Sequence, residues 1–243
     1  MFQRKRGQVT IFIILAIVIV GFVLVFFAFR TGLFETAFSS QFSDVSTFVQ
    51  DCIDKEAIDV VYQVGDGGGY YFSPNLSTSS GIAYYSINGK ILMPSKEDVE
   101  KEISYYLNQK LFFCTKNFVD FPNYEIIQGE IDTKADIRGD KIVLNVNYPV
   151  TVSNGGNTER FEDFKTEIPV RMGTVYDSIY EFMNSSLDSV CLSCLLEIAE
   201  ENDLYVDMLD YDDETIIFIF SDENSKINDK TFAWVFAGKY SVE

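Results

Sequence analysis

From Ile11 to Phe29 nineteen residues pass without a charge, nearly all Ile, Val, Leu, Phe or Ala. A helix needs about 20 apolar residues to cross the hydrocarbon core, and it satisfies its own backbone there. The run therefore predicts a single N-terminal transmembrane helix that meets membrane lipid through residues 11–29. Arg4, Lys5 and Arg6 precede it and Arg30 follows alone. Positive charge stays on the cytoplasmic side, which puts the N-terminus inside and residues 31–243 outside the cell membrane. A cleaved secretory signal has a shorter apolar region with small residues behind it. FRTGLFETAF is not that pattern, so the segment is expected to remain as a signal anchor.

Beyond a stalk at 31–43 the periodicity becomes that of a folded body. Asp44 reads as an N-cap. Val45, Phe48, Val49, Cys52, Ile53, Ala57, Val60, Val61 and Val64 recur at helical spacing, and Gly65 reads as the stop. GIAYYSI and KILMP flank Asn88-Gly89, a strong two-residue hairpin signal. Ser95 with Asp98 resembles a capping box. It opens a helix that buries Val99, Ile103, Tyr106, Leu107, Leu111 and Cys114 and stops near Phe118.

The second half begins as a meander. Ile131, Ala135 and Ile137 alternate with polar residues. After a Gly139-Asp140 turn, Ile142, Leu144, Val146, Tyr148, Val150 and Val152 alternate with wetter positions. One face is then buried and the other wet. Pro149 on the wet phase implies an edge strand or a bulge. SNGGN turns the chain and Phe164, Thr166, Ile168 and Val170 return it. A helix is expected from about Val175, with Leu187, Val190, Cys191, Cys194, Leu195 and Ile198 on one face. TIIFIF (215–220) and TFAWVFA (231–237) are apolar on both faces and belong centrally in a sheet, joined by an acidic ten-residue loop. The fold class is α+β, with helices packed on antiparallel sheet. Residues 1–30 are the basic tip and anchor, 31–121 a helix–hairpin–helix half, and 122–243 a meander, helix and C-terminal strand pair.

The sequence RKRGQVT followed at once by an apolar helix resembles the class III signal of archaeal type IV pilins and archaellins. That resemblance implies cleavage by a prepilin-type peptidase between Gly7 and Gln8, leaving Gln8 as the mature N-terminus. It also implies a homo-oligomeric, pilus-like assembly. Many pilins carry Glu at the fifth mature position, where this chain has Phe12. FVQDCIDKEAIDVVYQVGDGGGYY is similar to the start of uncharacterised membrane-anchored proteins of small-genome archaea, a likeness that brings no activity with it.

Charge sharpens the picture. Residues 31–243 hold all 37 acids and 15 of the 19 bases. Such a surface repels phosphate backbones, so nucleic acid is an unsuitable partner. There is no histidine, which removes Ser-His-Asp and Cys-His catalysis and His-ligated zinc. No phosphate-cradling loop is present, and Gly67-Gly68-Gly69 follows a helix, as a stop and turn do.

Four cysteines remain, and outside the cell membrane thiols tend to pair. Cys52 and Cys114 both fall on apolar helical faces, so a Cys52–Cys114 bond is expected. Cys191 and Cys194 form a C-x-x-C. A redox pair needs a thiolate stabilised by a helix N-terminus or a cation, whereas this pair reads as lying within an apolar helical face with acids nearby. A structural disulfide or buried thiols are the expectation. Asn75 and Asn184 each begin an N-x-Ser triplet open to glycosylation. Asp210, Asp212, Asp213 and Glu214 cluster without the spacing of a calcium loop. No metal, cofactor or catalytic residue is assigned, and the chain reads as a non-enzyme. The expected role is a membrane-anchored cell-surface structural or interaction protein, with pilin-like subunit as one form. The rivals are a tethered ligand- or peptide-binding module and a hydrolase built on paired carboxylates.

Overall fold

The computed structural model describes residues 19–20, 42–186 and 189–240. The expected membrane helix lies outside them except for Ile19 and Val20, which are helical. Gly7 and Gln8 lie outside them too. Among the described residues no helix is long and apolar enough to cross a membrane.

Asp44–Glu243 forms one compact unit. It is α+β, with helices packed on two sheets. Helix α1 spans Ser43–Asp66 and its apolar positions are buried on one face. It runs through Gly65 rather than stopping there. The reason is packing: a Cβ on Gly65 would lie 2.5 Å from the Phe232 ring and 2.6 Å from the Ala233 carbonyl. The turn falls instead on Gly67–Gly69, where Gly69 N–H returns to Val64 O at 2.8 Å. Gly68 and Gly69 have φ of 62° and 82°, which favours glycine.

Strands β1 (Tyr84–Ile87) and β2 (Lys90–Ile91) form the expected hairpin. Asn88 and Gly89 both take positive φ, as the tight turn demands. Helix α2 spans Lys96–Thr115, and the Ser95 hydroxyl accepts from Asp98 N–H. Val99, Ile103, Leu107 and Leu111 are buried. Tyr106 and Cys114 are only half-buried, because they face a cleft rather than the core. A short turn of 3-10 helix, Lys116–Phe118, ends the segment.

The first sheet comprises β3 (Glu125–Gln128), β4 (Asp132–Ile137), β5 (Ile142–Asn154) and β6 (Asn157–Ile168). β5 pairs with the other three, all antiparallel. The alternating residues 142 to 152 are buried as their spacing requires. Pro149 sits where the β5–β6 register shifts, so of its two readings the bulge is correct. β5 is central because the neighbouring segments turn back onto it. β4 would leave backbone N–H groups free along its outer edge. Helix α2 covers them: Ser104 Oγ accepts from Ala135 N–H at 3.0 Å and Glu100 Oε1 from Ile137 N–H at 2.9 Å.

Helices α3 (Met172–Ser185) and α4 (Leu192–Asn202) replace the single helix expected after Val175. Of the face proposed for its second half, Leu195 and Ile198 are buried, Cys191 caps α4, and Leu187 lies outside the described residues. The chain breaks where Ser186 Oγ takes the Cys191 N–H at 3.1 Å, a local bond that competes with the helix.

The second sheet adds β7 (Tyr205–Asp210), β8 (Thr215–Ile227) and β9 (Lys230–Lys239) in the order β2-β1-β9-β8-β7. β8 and β9 are central, as their two-sided apolar character predicts. Two expectations are corrected. The acidic segment after Phe220 is strand, not a ten-residue loop, because the turn is confined to Asn228-Asp229, both at positive φ. The sheet is also not wholly antiparallel: β1 lies parallel to β9. It therefore draws strands from both sides of residue 122. Phe182 of α3 packs on Phe218 and Phe220 of β8, and Tyr176 on Trp234 of β9.

One buried ion pair ties α3 to β8. Asp222, with no exposed surface, accepts from Arg171 Nε at 3.0 Å and Nη2 at 2.5 Å. Burial alone would raise its carboxyl, but Arg171, Ser225 and the Asn224 N–H outweigh that and hold it below the usual range. A depressed carboxylate contributes stability above its unfolded value near 4, and that stability is lost as pH falls. Removing one partner of a buried pair costs several kcal/mol. Asp222→Ala is expected to lower stability by about 3 kcal/mol. It should also flatten the loss of stability below about pH 4, measured by denaturant titration at several pH values.

Candidate binding cleft between α1 and α2

Along α2 the buried residues repeat as Val99, Ile103, Leu107 and Leu111. Tyr105, Tyr106, Phe112 and Phe113 recur seven residues apart on other faces. A helix presents such residues on the side away from its core stripe. Phe113 is 70% exposed and Tyr105 57%. The loop after α1 brings Tyr71 and Phe72 against them. Tyr71 stacks on Tyr106 with centroids 4.2 Å apart, Phe72 meets Tyr106 edge-on at 5.4 Å, and Tyr105 meets Tyr106 edge-on at 4.9 Å. Edge and offset-stacked rings of this kind hold one another in place.

These rings line a cleft of about 890 Å³ whose other wall is α1, through Phe48, Lys55 and Glu56. That is the size of a ligand or peptide pocket. A smaller recess of about 440 Å³ shares Tyr71 and Lys110 with it and continues to Lys230. The Cys52–Cys114 disulfide joins the two walls, with Cys114 lining the cleft and the Cα atoms 5.9 Å apart over a sequence separation of 62. Closing such a loop contributes about 4 kcal/mol in the chain-entropy model, and it also fixes the spacing of the two walls.

The charge pattern here departs from the rest of the surface. Among the described residues most basic side chains sit against a carboxylate, including Lys96, Lys141, Arg160, Lys165 and Lys239. Lys55, Lys90, Lys110, Lys116 and Lys134 make no such pair among the described residues. Lys55, Lys110 and Lys116 line this cleft together, facing two acids, Glu56 and Asp120. Lys110 Nζ lies 6.0 Å from the Tyr71 ring centroid. The Tyr71 hydroxyl beside it holds its ammonium above the usual lysine range. Loss of water around Tyr106 raises its phenol. Both groups stay protonated at neutral pH, so the cleft offers cations and phenol donors on an apolar floor.

Among the described residues, Cys114 lines the cleft with Cys52 bonded to it, and the other site residues singled out from sequence fall elsewhere. The second disulfide joins Cys191 and Cys194. Asn75 is exposed in the loop before β1. Asn184 is exposed in the last turn of α3, where its Nδ2 donates to Tyr180 O at 2.8 Å. In the acidic turn, Asp212 accepts from Glu214 N–H and Glu214 pairs with Lys239. Among the described residues no group of three or more acids or cysteines is arranged to hold a metal ion. Trp234 is fully buried and offers no binding face. No family model, no curated protein and no solved structure matches the chain.

Proposed function

We infer that this chain is a membrane-tethered, extracytoplasmic interaction protein that grips an acidic protein segment in the cleft between α1 and α2. The observation that carries the reading is the gathering of Lys55, Lys110 and Lys116 around exposed aromatic rings, in a chain with 37 acids and 19 bases. Where acids are in such excess, a lysine finds an intramolecular carboxylate easily. Three lysines left without one in a single cleft suit carboxylates supplied from outside. Aromatic residues are enriched at the centres of protein interfaces, and the stacked Tyr71–Tyr106 pair supplies such a floor.

The N-terminal reading supports the location. The apolar run 11–29 serves as the anchor, the basic tip stays inside, and the body lies outside the cell membrane. Two disulfides suit an oxidising compartment. The pilin-like signal adds a processing step at Gly7–Gln8 and a homo-oligomeric form in which the acidic bodies surround a core of anchor helices. The reading gives the cleft a holding role and no catalytic one.

Full-length chain in nanodiscs is expected to bind a random copolymer of glutamate and tyrosine saturably. Lys110→Glu combined with Lys116→Glu should weaken this at least tenfold, and added salt should weaken it further. Binding that is absent, or unchanged in the double variant, or seen only with an acidic polysaccharide, would contradict the reading. For the processing step, mass spectrometry of the protein from native membranes should find Gln8 at the N-terminus. Met1 there would leave an ordinary signal anchor.

A further inference from the structure

The expectation of an inert C-x-x-C rested on the pair lying inside a continuous helical face. The break after Ser185 removes that premise. Cys191 is the N-cap of α4, and its Sγ accepts the Cys194 N–H at 3.3 Å. The Ser193 hydroxyl lies 3.6 Å from the same sulfur. The first N–H groups of a helix lack partners within it, and its dipole favours negative charge there. A sulfur so placed is stabilised as a thiolate, the nucleophile and leaving group of disulfide exchange.

Two further observations set this pair apart. Cys191 and Cys194 are both half-exposed with Leu192 and Ser193 exposed between them, whereas in the other disulfide only Cys114 is half-exposed and Cys52 is buried. Leu192 and Leu196 present exposed apolar surface beside the bond, at 53% and 71%. An incoming protein segment could bury those two side chains as it brings its own thiol to the sulfur. In addition, a separation of 3 closes a small ring. In the chain-entropy model such a ring restrains the unfolded chain far less than the loop closed by Cys52–Cys114. The second bond is therefore poorly explained as a staple.

We propose that Cys191–Cys194 is a thiol–disulfide exchange site that accepts two electrons from a dithiol in a partner protein. A partner thiolate attacks Cys191 Sγ. A bond forms between the two sulfurs, the Cys191–Cys194 bond breaks, and Cys194 leaves with the electron pair. The partner's second thiolate then attacks the partner sulfur of the mixed disulfide. Cys191 leaves as a thiolate under the Cys194 N–H. The partner ends as a disulfide, the pair as a dithiol, and two protons pass from the partner's thiols to the pair. The exchange is independent of the α1–α2 cleft.

The test uses the full chain in nanodiscs with a peptide carrying two thiols, followed by acid quench, alkylation and mass spectrometry of each cysteine. One equivalent of peptide disulfide is expected per chain. Cys191 and Cys194 should become reduced at least tenfold faster than Cys52 and Cys114. With oxidised glutathione as probe, the Cys194→Ser variant should carry glutathione on Cys191. The Cys191→Ser variant should capture at least tenfold less on Cys194. Equal capture by the two variants would overturn the proposal. So would wild-type disulfides that resist the dithiol alike, and that comparison stands even if a variant does not fold.

Discussion

Helix α1 meets strand β9 through glycine, and the arrangement of the body depends on that close approach. Gly65 lies where any side chain would strike Phe232 and the Ala233 carbonyl, and a Cβ on Gly68 would come within 2.5 Å of the Val235 carbonyl. A hydrogen-bond chain runs across the same contact. Trp234 Nε1 donates to Tyr85 Oη at 2.8 Å, and the Tyr85 hydroxyl donates to Gly68 O at 2.8 Å. Burial pushes the Tyr85 phenol well above its usual value, so it remains a donor. Leaving such a buried group unpaired costs about 1–3 kcal/mol. Helix α1, strand β1 and strand β9 are thus fixed to one another by contacts that only glycine and one tyrosine satisfy.

The cleft inherits its shape from that anchor. The C-terminal end of α1 is held on β9, and Cys52 near its middle is bonded to Cys114 of α2. Glu100 and Ser104 of α2 hold the edge of β4 from its other side. The two walls therefore cannot separate freely, and the rings between them form a preorganised surface, which lowers the entropy cost of taking a partner. The two disulfides divide the labour along the same lines. One joins two helices, from buried Cys52 to half-buried Cys114; the other is half-exposed at both cysteines and spans one turn at a helix start.

Much of this was legible in the sequence where local pattern and burial agree. The alternation from Ile142 to Val152 marked the central strand of the first sheet, Asn88-Gly89 marked the hairpin, and two cysteines on apolar helical faces marked their own bond. What was not legible depended on distant contacts or on polarity at odds with structure. Nothing near Tyr84 announces a parallel partner at Ala237. The strand through Ser221, Asp222 and Glu223 is disguised because its carboxylate is buried against Arg171, far away in sequence. Gly65 has the local signature of a stop, and only the Phe232 ring explains its place inside the helix. The cleft was hidden differently: Tyr106 was expected on the buried face of its helix, and Tyr105 and Phe113 carried no expectation of their own. Their seven-residue spacing off the Val99–Ile103–Leu107–Leu111 stripe is the signal that separates them.

The most direct test of the binding account is hydrogen–deuterium exchange on the full chain in nanodiscs, with and without the glutamate–tyrosine copolymer. The account predicts added protection in the peptides covering residues 71–72 and 105–116, together with the facing part of α1 around Lys55. Protection confined to the exposed edge strand Tyr205–Asp210, or none at all at saturating copolymer, would contradict it.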